Sequence, residues 1–432
     1  MTTDDFIQSL MKNENLFANR YQRDLFGVED YRRMFSCGID KSIEKIDSAI
    51  DEIINQKQIT ERLSIIAGNA DDVFIEQDAG GADSDTVYDL ASATKLFTMI
   101  CIVILKECGL IHDDDPLKKF CPLFQEQAVS SLTIQQLYSF YANLQTPKRL
   151  DEVGISAEEA EARLFAVQVK DRTEAFRLRP YSDFGSLILK YVIEATGSEC
   201  FYTFLKENVL DPLGMKRTTP YPTDKNFASS NDEYRIIKGD YQRIDTPFGL
   251  PNDKKAARLK KDAYDLSGHA GLFSTANDLK KLAQGLLRGE IISSHSLCEM
   301  GICRTEGNVN GQYGQFFGQM TYVKNPIAEN SEVPHCLSGP TITSAGYTGT
   351  HITIDPLNQF FYVVLGNRCH KRVTSIIPEE GKNISDYLNR EDNTVTWING
   401  ERIHSSKYYV YQKDILIESL VVNGLLHQMN MI

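Results

Sequence analysis

The chain has 432 residues, of which 42% are hydrophobic and 24% charged, with 28 glycines and 14 prolines. That length holds one large domain or two to three ordinary ones, and the composition excludes a collagen-like or low-complexity polypeptide. A formal net charge of −13 argues against a nucleic-acid or anionic-membrane partner, because those need a basic stripe or helix face. The one basic cluster, Lys254, Lys255, Arg258, Lys260 and Lys261, reads as a solvated surface segment.

Taken in chain order, residues 1–30 are polar and mixed in charge, unlike a basic, then apolar, export signal. Residues 1–37 read as a polar arm. Asp40 then precedes Ile43, Ile46, Ile50, Ile53 and Ile54, an apolar stripe at helical spacing behind an aspartate cap. Residues 63–67 and 73–77 flank a Gly-Asn-Ala-Asp-Asp run and predict a β-hairpin. Residues 91–109 predict a long buried helix ending at Gly109. Its apolar core, 96–105, is half the roughly 20 residues a membrane span needs. From 113 to about 288 the pattern is mostly helical with long loops.

Residues 351–355 and 360–365 predict a second hairpin around Pro356. Residues 394–398 and 402–411 predict a third, across Asn399-Gly400, where a two-residue primed turn requires positive φ at both positions. Residues 415–428 close the chain as an amphipathic helix. The economical fold is α/β (α+β): an antiparallel sheet built from both termini, flanked by helices, with an inserted helical subdomain. The α/β domain comprises 38–112 and 300–432, with 371–412 as a hairpin-bearing addition; 113–299 is the insertion. Nine cysteines without a CxxC pair predict free thiols in a reducing, cytoplasmic setting. No clustered ligand set is visible, so no metal and no cofactor are expected.

The chemistry-bearing candidate is Asp89-Leu90-Ala91-Ser92-Ala93-Thr94-Lys95. Ser92 and Lys95 are three apart, one turn of a helix, which puts a hydroxyl in a helix N-terminal field beside an amine. Partly desolvated, that lysine can be neutral often enough to accept a proton. The spacing is weak by itself, since Ser9/Lys12 and Ser42/Lys45 match it too. What separates Ser92 is the apolar run behind Lys95, which buries the lysine. A second candidate is Tyr181-Ser182-Asp183; a tyrosine near a lysine charge can act as a base, although Tyr-x-Asp is common by chance and a tyrosine often only caps a core helix.

Together, Ser92-x-x-Lys95 and Tyr181-Ser182-Asp183 resemble the serine β-lactamase and penicillin-binding-protein superfamily, and within it the class C β-lactamase-related esterases, amidases and peptidases. Pro212-Leu213-Gly214-Met215, Asp114-Asp115-Pro116-Leu117, the stretch from Gly268-His269-Ala270-Gly271 to Asp278-Leu279, Gly346-Tyr347-Thr348-Gly349-Thr350 and Asn367-Arg368-Cys369-His370 extend the resemblance over about 38–370. The resemblance implies Ser92 as nucleophile, Lys95 as its activator, Tyr181 as proton carrier and Asp183 as a partner of Lys95 and substrate. It implies an oxyanion hole from the Ser92 N–H and one N–H of a third-motif strand. That motif usually carries lysine or histidine; here the places hold Ser344-Ala345-Gly346, or else Tyr347-Thr348-Gly349, so recognition of a substrate carboxylate is expected to be weak. Phe140 and Asn143 replace a histidine and a glycine of a pocket-wall segment. His269 reads as a structural histidine; His335, His351 and His370 have no partner that the sequence names.

The expected activity is a serine hydrolase acting on the ester or amide of a small molecule or short peptide. A non-catalytic binding or sensor module, and an acyltransferase, are the alternatives.

Overall fold

The computed structural model describes residues 46–223, 226–326, 331–334 and 336–428. The arm, the Asp40 cap with Ile43, the pairs Ser9/Lys12 and Ser42/Lys45, and His335 lie outside them. Eleven strands and five helices matter for the site. The strands are β1 (Leu63–Asn69), β2 (Val73–Ala79), β3 (Val87–Asp89), β4 (Glu233–Ile237), β5 (Asp240–Ile244), β6 (Ile342–Gly346), β7 (Thr350–Asp355), β8 (Phe360–Gly366), β9 (Val373–Ile377), β10 (Thr394–Thr396) and β11 (Arg402–His404). The helices are α1 (Thr94–Glu107), α2 (Phe184–Gly197), α3 (Lys254–Leu259), α4 (Ala276–Leu287) and α5 (Tyr409–Gln428).

The central sheet runs β6-β7-β8-β1-β2, antiparallel throughout. It is built from both termini, as expected. Side chains of a strand alternate between faces, and β8 is fully buried on both. Phe361, Val363 and Leu365 enter the large core that holds α1, α2 and α4. Phe360, Tyr362 and Val364 enter a second core beneath α5 with Leu416, Leu420 and Val421. A continuous apolar run is what a two-faced strand requires. Helix α1 is buried at 11 of its 14 positions, Lys95 among them, because it threads the centre of the larger core.

Three expectations change. Segment 113–299 is not only helical: β4 and β5 pair, and β9 joins β4 in parallel, so residues of the expected addition share a sheet with residues of the expected insertion. The Asn399-Gly400 connection is longer than a two-residue turn. The Gly400 N–H bonds the Trp397 carbonyl, the Trp397 N–H bonds Glu401, and only Gly400 has positive φ, at 86°. That is a type I-like turn followed by a left-handed glycine, the three-residue hairpin solution. Tyr409, Val410 and Tyr411 are helical rather than strand; the Tyr409 hydroxyl donates to the Gly349 carbonyl at 2.5 Å, a tertiary anchor that overrides their β propensity.

The β10–β11 hairpin covers the β9-β4-β5 sheet through Val395, Trp397 and Ile403. Trp397, the only tryptophan, meets the rings of Tyr234 and Tyr241 edge-on at 4.8 and 4.9 Å. The hairpin is therefore core to this small sheet. Truncating Trp397 to alanine should cost about 3–5 kcal/mol, the range for a buried large aromatic. Urea unfolding followed by circular dichroism measures it; a loss below about 1 kcal/mol would mean the hairpin is a detachable addition.

Candidate active site

The route to Ser92 begins with β3, held between Phe227–Ala228 and Phe273–Ser274. Asp89 ends that strand with a buried carboxylate. One oxygen accepts the Ala91 N–H at 2.8 Å, the other the Asn252 N–H at 2.7 Å and the Ser230 hydroxyl at 3.3 Å. Burial pushes this carboxyl up to about 6, and its hydrogen bonds oppose the rise. The bond to Ala91 matters because Ala91 has φ of 44°, left-handed for a residue with a Cβ. Such a conformation costs on the order of 1 kcal/mol and persists only when its surroundings enforce it. Asp89 is that enforcement. It delivers Ser92 into a short 3-10 turn, Ala91–Ala93, whose leading N–H groups have no partner within the turn.

Lys95, one turn on, is 1% exposed. Its ammonium donates to Ser92 Oγ at 3.1 Å, Tyr181 Oη at 2.7 Å, Asp183 Oδ1 at 2.8 Å and the His269 carbonyl at 3.1 Å. Burial acts to lower its pKa, but the charge of Asp183 and the oxygen of Tyr181 outweigh burial and raise it well above the ordinary lysine value. The surroundings of Lys95 therefore favour the ammonium, against the expectation of an often-neutral lysine. For Asp183 burial acts to raise the pKa, and the charges of Lys95, His269 and Lys255 hold it far below the carboxylate range instead.

Lys255 is the residue that sequence reasoning missed. It donates to Asp183 Oδ2 at 2.5 Å. The basic cluster is not a solvated segment: Lys254, Lys255, Arg258 and Lys260 are half-buried, and only Lys261 is exposed. Arg258 bonds the Ile155 carbonyl and Lys260 those of Pro220, Ala263 and Asp265. The short helix α3 presents this face because Asp253 caps it, accepting the Ala256 N–H at 2.9 Å.

His269 is fully buried with both ring nitrogens bonded, to Asp253 at 2.9 Å and to the Ser267 hydroxyl at 3.1 Å. It is structural, and its backbone carbonyl is what reaches Lys95. Asp183, Asp253 and His269 place donor atoms within 4.8 Å of one another, a grouping not visible in the sequence. Both Asp183 oxygens are engaged by lysines and Asp253 Oδ1 by His269 and Ala256, so the group is an ion-pair relay. His351 lies 3.4 Å from Glu332 and stacks on Tyr362; burial pushes it down to about 4. His370 bonds the Asn231 carbonyl at 3.0 Å.

Two clefts open on Ser92 and Tyr181. One, of about 280 Å³, is lined by Ala345, Gly346, Tyr347 and Arg368. The other, of about 360 Å³, is lined by Asp183, Arg235, Lys255 and Tyr347. Ser344 lies inside β6, 4% exposed, and lines neither; Tyr347 lines both, its hydroxyl donating to Glu233 at 2.8 Å. Asn143 also lines neither. Its amide is held by the Asp171 carbonyl at 2.7 Å in a two-stranded ribbon, and Phe140, ring centroid 5.4 Å from that of Tyr181, forms the wall in its place. Gly346 passes so close to the Leu90 carbonyl that any Cβ would clash with it, which is how β6 lies directly against the turn that carries Ser92.

Among the described residues no helix is long and apolar enough to cross a membrane, and the eight described cysteines are free thiols. The family model described as Beta-lactamase matches residues 54–377. A "Putative D-alanyl-D-alanine carboxypeptidase" of Escherichia coli (strain K12) is 26% identical over 377 residues, covering 80% of this chain and 83% of the relative. The structure titled "EstCE1, a hydrolase with promiscuous acyltransferase activity" superposes with a TM-score of 0.58 at 20% identity, over 76% of this chain and 94% of that one. A "putative beta-lactamase from Bacteroides dorei DSM 17855" gives 0.56 at 15% identity, over 88% and 99%. These two likenesses establish the fold, and the match over three quarters of the sequence establishes the kinship: the chain belongs to the beta-lactamase family of serine hydrolases.

Proposed function

We propose that this hydrolase cleaves an ester or amide through an acyl-enzyme on Ser92, with Lys95 and Tyr181 managing charge and proton. The observation that carries the reading is the Lys95 ammonium bonded at once to Ser92 Oγ and Tyr181 Oη. An ammonium with no lone pair cannot take the serine proton. Tyr181 Oη therefore receives it: the phenolate form of Tyr181, paired with the cation 2.7 Å away, takes the proton and becomes a neutral phenol as Ser92 attacks the carbonyl. The same hydroxyl returns the proton to the departing alcohol or amine, then repeats the cycle with water. Asp183 and Lys255 hold Lys95 in place and take no part in bond breaking. The Ser92 N–H and an N–H at the Gly346–Tyr347 end of β6 cradle the oxyanion. The name carried by the Escherichia coli relative favours an amide over an ester as substrate.

A serine-directed fluorophosphonate should add once, and Ser92→Ala should abolish both adduct and turnover, the latter by at least ~10³-fold. Intact-mass analysis reads it, and an adduct that survives the substitution would sink the assignment.

Replacing Asp183 by asparagine removes the strongest influence that raises Lys95 and leaves burial, which lowers it. With charged Lys95 as the working form, activity should be lost as pH rises through the lowered value. The alkaline limb of kcat/KM in Asp183→Asn should then lie at lower pH than in the parent, with kcat/KM down about ten- to a hundredfold. An alkaline limb that does not move counts against a fixed cation.

In Gly346→Ala the new methyl meets the Leu90 carbonyl and displaces β6 from the nucleophile turn. Loss of one oxyanion donor should lower kcat on the order of 10²-fold while phosphonate labelling of Ser92 persists at a reduced rate. Unchanged kcat in a folded variant places the donor elsewhere.

A further inference from the structure

A cavity of about 500 Å³ lies apart from Ser92 and is larger than either cleft that opens on the serine. Three stretches of chain wall it: Lys57 and Ile59 ahead of β1, Leu388, Arg390 and Asn393 ahead of β10, and Tyr408 and Gln412 at the start of α5. Asn393 ties the three together. Its φ is 55°, a left-handed conformation that asparagine tolerates, and its side-chain amide donates to the Lys57 and Ser405 carbonyls at 2.7 Å each. Ile59, Leu388 and Tyr408 give the cavity an apolar body. Its charged groups are Lys57 and Arg390, both cations. Among the described residues no acidic side chain lines it, and neither cation has an ion-pair partner. In a chain of net charge −13, two unneutralised cations on one apolar cavity mark a place for an anion.

Pockets of roughly 300–1,000 Å³ hold small organic ligands through apolar walls and a few placed polar groups. The guanidinium fork of Arg390 matches a carboxylate. We infer that this cavity binds an amphipathic carboxylate, its chain against Ile59, Leu388 and Tyr408 and its head group at Lys57 and Arg390, and that occupancy acts on the active site through α5. The start of α5 is the shared wall. The Gln412 N–H bonds the Tyr408 carbonyl at 3.2 Å, one turn back, and these two residues line the cavity. Tyr409, Val410 and Lys413, on the adjoining face, line the cleft that holds Ser92 and Tyr181. The Tyr409 hydroxyl holds the Gly349 carbonyl in the turn between β6 and β7, so a shift of this helix end reaches the Gly346–Tyr347 end of β6. A ligand that binds two positions of the helix unequally moves the balance between them. Binding at the cavity does not depend on Ser92 being the nucleophile.

Calorimetric titration of the full chain with decanoate tests the site, with decanol as the neutral control and the double variant Lys57→Gln/Arg390→Gln as the comparison. Lys57 is half-buried and Arg390 exposed, and neither belongs to the catalytic machinery, so the variant should fold. The parent should bind decanoate at least about tenfold more tightly than decanol, and the variant should bind decanoate at least about tenfold more weakly than the parent. Saturating decanoate should change kcat for p-nitrophenyl acetate at least about twofold in the parent and leave the variant's kcat unchanged. No binding by the parent, equal affinity for decanol, or unchanged affinity in the variant overturns the site. A purely competitive effect on KM that persists in the variant places decanoate in the active-site cleft and overturns it too. Binding that the variant weakens, with kcat unmoved in the parent, upholds the site and overturns the coupling through α5. A parent that turns over no ester counts against the reading of Ser92 instead, and the titration still decides on the cavity.

Discussion

One buried ammonium organises this molecule. Lys95 lies buried in the first turn of an apolar helix, and a charge there is tolerable only if every proton finds an acceptor and a carboxylate lies alongside. Four acceptors come from three places in the chain: Ser92 on the preceding turn, Tyr181 and Asp183 before α2, and the carbonyl of His269. Satisfying the lysine thus assembles the site. The requirement propagates outward as alternating charge, from Asp183 to Lys255 and on to Asp253, which in turn orients His269. Removing one member leaves its neighbour buried and unpaired, so the relay is held together by the penalty for breaking it more than by the strength of any single bond.

Around this relay the protein concentrates strain on one side and close packing on the other. Ala91 is forced into a left-handed conformation by Asp89, and β6 is pressed onto Leu90 by the absence of a side chain at Gly346. Both devices act on backbone within two residues of Ser92. The aromatic wall of Tyr181, Phe140, Phe317 and Tyr322 fixes the phenol from its other face; such ring pairs add directional stabilisation beyond the area they bury.

What the sequence made legible follows from the range of the interactions. The hairpin of β1 and β2, the buried α1 and the strands β7 and β8 are written in local periodicity, and the sheet from both termini followed from their positions. Ser92 and Lys95 are one helical turn apart, so their contact is also local. Tyr181 and Asp183 needed the resemblance, because nothing local announces a contact at 2.7 Å across a sequence separation of 86. Lys255 was misread for the same reason: a run of basic residues looks solvated unless one knows that a capped helix turns that face inward. Asn143 was placed by resemblance at a wall that Phe140 makes, since a short ribbon with 168–170 carries the asparagine away.

The pairing of β1 with β8 has a consequence in time. Leu63 lies opposite Gly366, so the N-terminal hairpin waits for about 300 residues of further synthesis before its open edge is covered. At about 5–20 residues per second that is roughly 15–60 s during which an apolar strand carrying Leu63, Ile65 and Ile66 offers unpaired backbone to any neighbour. Through that interval the turn that carries Ser92 is already synthesised, while Gly346, Tyr347 and Arg368, which complete its cleft, are still to come.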